Sequence, residues 1–84
     1  MSRKAKLIDR LTSLPRDFTW DELVQVLGHL GYVERVGGKT GGSRRRFVHD
    51  PAPTILLHKP HPGNIVKLYA LREVVSLLET EGLL

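Results

Sequence analysis

Two histidines with the spacing His-x-x-His, His58 and His61, close the run Thr54-Ile55-Leu56-Leu57-His58-Lys59-Pro60-His61-Pro62. Imidazole is the side chain that gains and loses a proton near neutrality, and it is the usual general base or general acid. Upstream, Arg44-Arg45-Arg46-Phe47-Val48-His49 supplies three guanidinium forks whose geometry suits phosphate oxygens. Histidine beside arginine is the minimum equipment for metal-free RNA cleavage. A base takes the proton of the 2′-hydroxyl, the arginines stabilise charge on the phosphorane, and an acid protonates the leaving 5′-oxygen. The plain alternatives are loop histidines that hydrogen-bond backbone, and an edge strand that carries charge against aggregation. Zinc on His49, His58 and His61 is not expected, because Asp50 is the one carboxylate nearby and the chain has no cysteine.

Between these groups and the first half of the chain lies Gly37-Gly38-Lys39-Thr40-Gly41-Gly42-Ser43. Gly38-Lys39-Thr40 looks like the end of a P-loop, but Val33 stands where the first glycine would have to be, and the segment leads to a strand where a P-loop leads to a helix. The reading that survives is a hairpin loop whose glycines leave the backbone open to a phosphate.

Charge points to the same stretch. The chain carries a net charge of +4, yet from Arg35 to Lys67 there are seven Lys and Arg (35, 39, 44, 45, 46, 59, 67) against Asp50 alone. A basic face on an otherwise near-neutral domain suits a polyanion, although a solvated face has the same composition. The absence of cysteine excludes disulfides and thiolate catalysis. Neither a membrane span nor a signal peptide is legible, so a cytoplasmic location is expected.

The elements that must position these groups follow from periodicity. Ala5, Leu7, Ile8, Leu11 and Leu14 predict a short amphipathic helix stopped by Pro15. Thr19 and Glu22 form a capping-box pattern with Phe18 and Leu23 as a hydrophobic staple. They open a helix from Trp20 to about Leu30, with Leu23, Val24, Leu27 and Leu30 expected on its buried stripe and Gly31 at its end. His29, in its last turn, is expected to be structural. Tyr32 to Val36, Arg44 to His49 and Thr54 to His58 read as three strands of an antiparallel meander. If Phe47 faces the helices, alternation puts Arg45 and His49 on its side and Arg44, Arg46 and Val48 on the other; Leu56 and His58 face away from Ile55 and Leu57. Leu71, Val74, Val75 and Leu78 mark a final helix with Leu68 and Tyr69 in its opening turn. Gly82 ends it, and Leu83 and Leu84 fold back as an apolar contact. The 84 residues suffice for one α+β domain in the order α-α-β-β-β-α, its helices on one face of the sheet and the other face open.

Three features together resemble the HicA-like toxins of bacterial HicA and HicB toxin and antitoxin pairs. They are Gly42-Ser43 opening the second strand with Phe47 following, Pro60-His61-Pro62 closing the third, and the Lys67 to Val75 helix start containing Leu71-Arg72. The resemblance covers residues 20 to 84. It implies a fold like the double-stranded-RNA-binding domain, with residues 1–15 as a helix added before a family core of 16–84. It also implies a ribosome-independent endoribonuclease, an mRNA interferase that a HicB-like antitoxin neutralises. With no cofactor expected, the mRNA contacts would be Lys39, Ser43, Arg44, Arg45, Arg46 and His49, and the catalytic pair His58 and His61. The family's catalytic histidine usually follows the Gly-Ser pair directly, where this chain has Arg44. Three accounts stay open: the base has moved to His58, His61 or His49, the protein binds RNA without cutting it, or the likeness is one of fold alone. A protein-interaction domain with a basic face for an acidic partner is the reading from a different class.

Overall fold

A computed structural model of the chain describes residues 2–36 and 44–84; Lys39 and Ser43, with the rest of the glycine-rich segment, lie outside the described residues. The order is α1 (Arg3–Thr12), α2 (Trp20–His29), β1 (Val33–Val36), β2 (Arg44–His49), β3 (Ala52–His58) and α3 (Leu68–Thr80). This is the expected α-α-β-β-β-α arrangement, an antiparallel sheet in the order β1-β2-β3.

Each helix is bounded by the chemistry its ends require. The Ser2 hydroxyl accepts from the Ala5 N–H and starts α1, which buries Leu11 and rests Leu7, Ile8 and Leu14 on the core. At α2 the capping box is complete. Thr19 Oγ1 accepts from the Glu22 N–H at 3.1 Å, and Glu22 Oε1 accepts from the Thr19 N–H at 2.9 Å. Phe18 and Leu23, the expected staple, are both fully buried. The helix closes through Gly31 at φ +102°, with the Tyr32 N–H on Leu27 O and the Gly31 N–H on Gly28 O, a Schellman pattern. α3 ends the same way at Gly82: the Leu83 N–H reaches Leu78 O at 2.8 Å, and Leu83 and Leu84 pack back on the core.

One expectation about a buried face needs correction. On α2, Val26 is buried and Val24 only partly so, and Leu30 is half-buried as the cap residue. Val24 and Val26 lie equally far around the helix from the midline of Leu23 and Leu27, so the helical wheel does not choose between them and tertiary packing does. On α3, Tyr69 points to solvent, because two positions before Leu71 is about 200° around the helix from the core stripe.

Antiparallel register puts Phe47 opposite Glu34 and Ile55, and Arg45 opposite Val36 and Leu57. Phe47, Ile55 and Leu57 are buried against the helices, where Trp20 meets Phe47 with ring centroids 5.7 Å apart. β3 begins at Ala52, two residues ahead of the expected Thr54. Pro53 can be part of it because β3 is an edge strand with one side unpaired. The Tyr32 hydroxyl donates to Pro53 O at 3.0 Å, tying this start of β3 to the end of α2.

Candidate nucleic-acid interface and histidine groove

Alternation along β2 and β3 sorts the basic residues onto two faces. On the face away from the helices, Arg46 lies between Arg35 of β1 and Leu56 of β3, and Arg44 lies opposite His58. Arg35, Arg44, Arg46 and His58 are all exposed, as are Leu56 at 65% and Val33 at 54%. Like charges directly opposite each other in a sheet are unfavourable, so the Arg35 and Arg46 pair is held at a cost that a bound anion would relieve.

The other basic residues of β2 stand elsewhere. Arg45 shares the inner face with Phe47, its Nε 3.3 Å from Glu34 Oε2, and its Nη1 donates to Arg44 O at 3.0 Å. His49 is half-buried, with its imidazole tilted against the Tyr32 ring at a centroid distance of 5.2 Å. A Cβ built on Gly31 would come within 2.7 Å of His49 Cε1, so Gly31 serves both the positive φ and the approach of this ring. The Arg44 and Arg46 side chains therefore share a face with His58, whereas Arg45 and His49 are engaged on the inner side.

His58 and His61 meet in a groove of about 370 Å³ at the end of β3, which continues past Lys59 to Ile65, Lys67 and Tyr69 of the first turn of α3. The far wall is pinned by backbone. The Trp20 N–H donates to Asn64 O at 2.7 Å, and the Val66 N–H to Phe18 O at 2.9 Å, which sinks Val66 into the core. Ile65 and Tyr69 are left exposed on the groove side, Tyr69 at 61%. The groove can accept an anion on its lysines, a flat apolar group on Tyr69 and a proton on either imidazole. Tyr69, Lys59 and Lys67 join the candidate site from the structure and not from the sequence; the signal for Tyr69 in the sequence is its position off the helix stripe. Among the described residues no three His, Asp or Glu side chains converge in a way that could hold a metal ion. Nor is any described helix long and apolar enough to cross a membrane.

Comparison with protein families matches residues 20–82 to the family described as the HicA toxin of bacterial toxin-antitoxin. The chain belongs to the HicA toxin family. The matched span runs from the first residue of α2 to Gly82 at the end of α3, and thus takes in the whole sheet and the histidine groove while α1 lies outside it. A HicA toxin works as one half of a toxin and antitoxin pairing. Searches of curated proteins and of solved structures each found no match.

Besides the packing of Leu11 in the shared core, α1 is tied to the family span by Arg10. Arg10 Nε donates to Glu22 Oε2 at 3.0 Å, and its Nη2 donates to Asp17 Oδ1 at 3.0 Å and to Asp17 O at 3.1 Å. Its guanidinium lies 5.5 Å from the Phe18 ring centroid. The hydrogen bond from Arg10 is the largest reason the Glu22 carboxyl is held below its ordinary value, with the capping contacts of Thr19 adding to it.

Proposed function

We propose that this HicA toxin is a metal-independent endoribonuclease that cuts single-stranded mRNA in the cytoplasm and is neutralised by a HicB-like antitoxin. The observation that carries the reading is the cross-strand pairing of Arg44 with His58. Family members usually have their catalytic histidine directly after the Gly-Ser pair, which is the position of Arg44. Side chains directly opposite in an antiparallel pair have Cβ atoms about 5 Å apart, so His58 brings an imidazole to the neighbourhood that Arg44 has left. Arg44 then contributes a fixed positive charge where the phosphorane develops.

In this reading His58 removes the 2′-hydroxyl proton and the resulting oxygen attacks the adjacent phosphorus. Arg44 and Arg46 bind the non-bridging oxygens, with Lys39 joining them on phosphates. His61, on the same groove, protonates the 5′-oxygen as the P–O bond breaks. The products are a 2′,3′-cyclic phosphate and a 5′-hydroxyl. Arg45, paired with Glu34, and His49, against Tyr32, support the sheet in this scheme.

A second reading, a non-catalytic RNA-binding module of the same fold, is favoured by Arg44 itself, since a guanidinium stays protonated and is a poor base. Incubating the purified protein with an unstructured RNA in EDTA separates the two. Cleavage to cyclic-phosphate ends, with the DNA version of the oligonucleotide intact, is the expected result. Binding without product would establish the second reading, and cleavage lost in EDTA would overturn the metal-free mechanism.

A further inference from the structure

The chain has five aromatic residues in Phe, Trp and Tyr, and four of them, Phe18, Trp20, Tyr32 and Phe47, are buried at 4% exposure or less. The fifth, Tyr69, is 61% exposed and lines the groove that holds His58 and His61. Exposing an aromatic ring forgoes burial that a small domain needs, and Tyr69 makes no contribution to the α3 stripe of Leu71, Val74, Val75 and Leu78. Beside it Ile65, 44% exposed, adds a second apolar surface, and Lys59 and Lys67 supply positive charge on the same groove. A groove of about 370 Å³ falls in the range of about 300–1,000 Å³ that holds a small ligand.

We propose that this groove is a subsite for one unpaired nucleotide of the RNA, with its base stacked on Tyr69 and its flanking phosphates on Lys59 and Lys67. The inference rests on the RNA reading above and adds to it a specificity-determining residue and a physical basis for the preference for single strands. A ring offers its face to any base, so the subsite tolerates sequence. A base inside a duplex has both faces covered by its neighbours, so the subsite selects single-stranded RNA, and it does so next to the imidazoles that act on the backbone. Splaying one base onto Tyr69 also turns the sugar–phosphate chain out of helical geometry, which favours alignment of a 2′-oxygen with the bond it attacks.

The test measures binding of a fluorescent, unstructured 2′-fluoro oligonucleotide, which has the RNA-like sugar but no 2′-hydroxyl to react. Wild type is compared with Tyr69→Phe, Tyr69→Leu and Tyr69→Ala. Because the ring is exposed, thermal unfolding should be unchanged in all three. The expected result is wild-type affinity for Phe and a loss of about tenfold for Ala and for Leu. Wild-type affinity in the Ala variant, or an equal loss on a fully paired duplex, overturns the subsite and leaves the RNA reading standing. No binding by the wild type overturns the RNA reading itself. If the groove takes an apolar side chain of the antitoxin in place of a base, the Ala variant loses antitoxin affinity and keeps RNA affinity, which also overturns the subsite.

Discussion

Arg44 and His58 face each other across β2 and β3, and the proposed chemistry needs both: one to hold charge, the other to move a proton. A base that must start unprotonated and an acid that must start protonated give a bell-shaped dependence of cleavage rate on pH. Replacing His61 with Ala removes the acid, so the rate falls by about 10²–10⁴ and the limb that belongs to His61 disappears from the profile. A rate profile that keeps both limbs in the His61→Ala variant would assign the acid elsewhere. Residue types and strand alternation made the outward direction of Arg44, Arg46 and His58 legible in the sequence, along with the inward turn of Arg45. What could not be read was the register, since pairing Arg44 with His58 depends on the turn at Asp50-Pro51 and on the register shift between Phe47 and His49. The exposure of Tyr69 was legible in principle and was obscured by its aromatic type, which argues for the core.

At the scale of elements, the caps make the firmest predictions because their hydrogen bonds are local. Thr19→Ala removes one side of the capping box and should destabilise the fold by about 1 kcal/mol, measured by chemical unfolding. Gly31→Ala should cost about 1–2 kcal/mol for the left-handed backbone alone. It should also push the His49 imidazole off Tyr32, since the new Cβ would meet that ring. Glu22 gives a pH dependence. Its folded carboxyl is held below the ordinary 4.5, chiefly by the hydrogen bond from Arg10, so the unfolded chain binds the proton more readily. The stabilisation is therefore complete above the unfolded value and lost as pH falls through the lower, folded one. Wild type should exceed Glu22→Gln in thermal midpoint at about pH 7, and the difference should close as the solution is acidified below about pH 4. A constant difference would place the effect of the substitution outside its charge. These elements were legible because helix starts and stops are written in a few residues; the choice of Val26 over Val24 was not, because it depends on what packs beside α2.

For the whole molecule, the sheet separates two functions: its inner face closes a core with the helices, and its outer face presents arginines, exposed apolar residues and the mouth of the histidine groove. Binding of a non-cleavable single strand should weaken steeply with salt, and Arg46→Ala should lower the slope of log K against log salt by about 0.7, one phosphate contact. An unchanged slope would remove Arg46 from the interface. The α+β class, the element order and the open basic face could be read from periodicity and charge, because each is set by the pattern along the chain. The groove could not, since it joins the end of β3 to the start of α3 through backbone bonds to Phe18 and Trp20, far away in sequence. In the proposed mechanism His58 supplies the imidazole that the family usually carries directly after the Gly-Ser pair. Its most direct test is the single-turnover rate of RNA cleavage by wild type, His58→Ala, and the exchange variant Arg44→His with His58→Arg. A fall of about 10²–10⁴ is expected for His58→Ala and a rate well above it for the exchange variant; cleavage by His58→Ala at the wild-type rate would rule out His58 as the base.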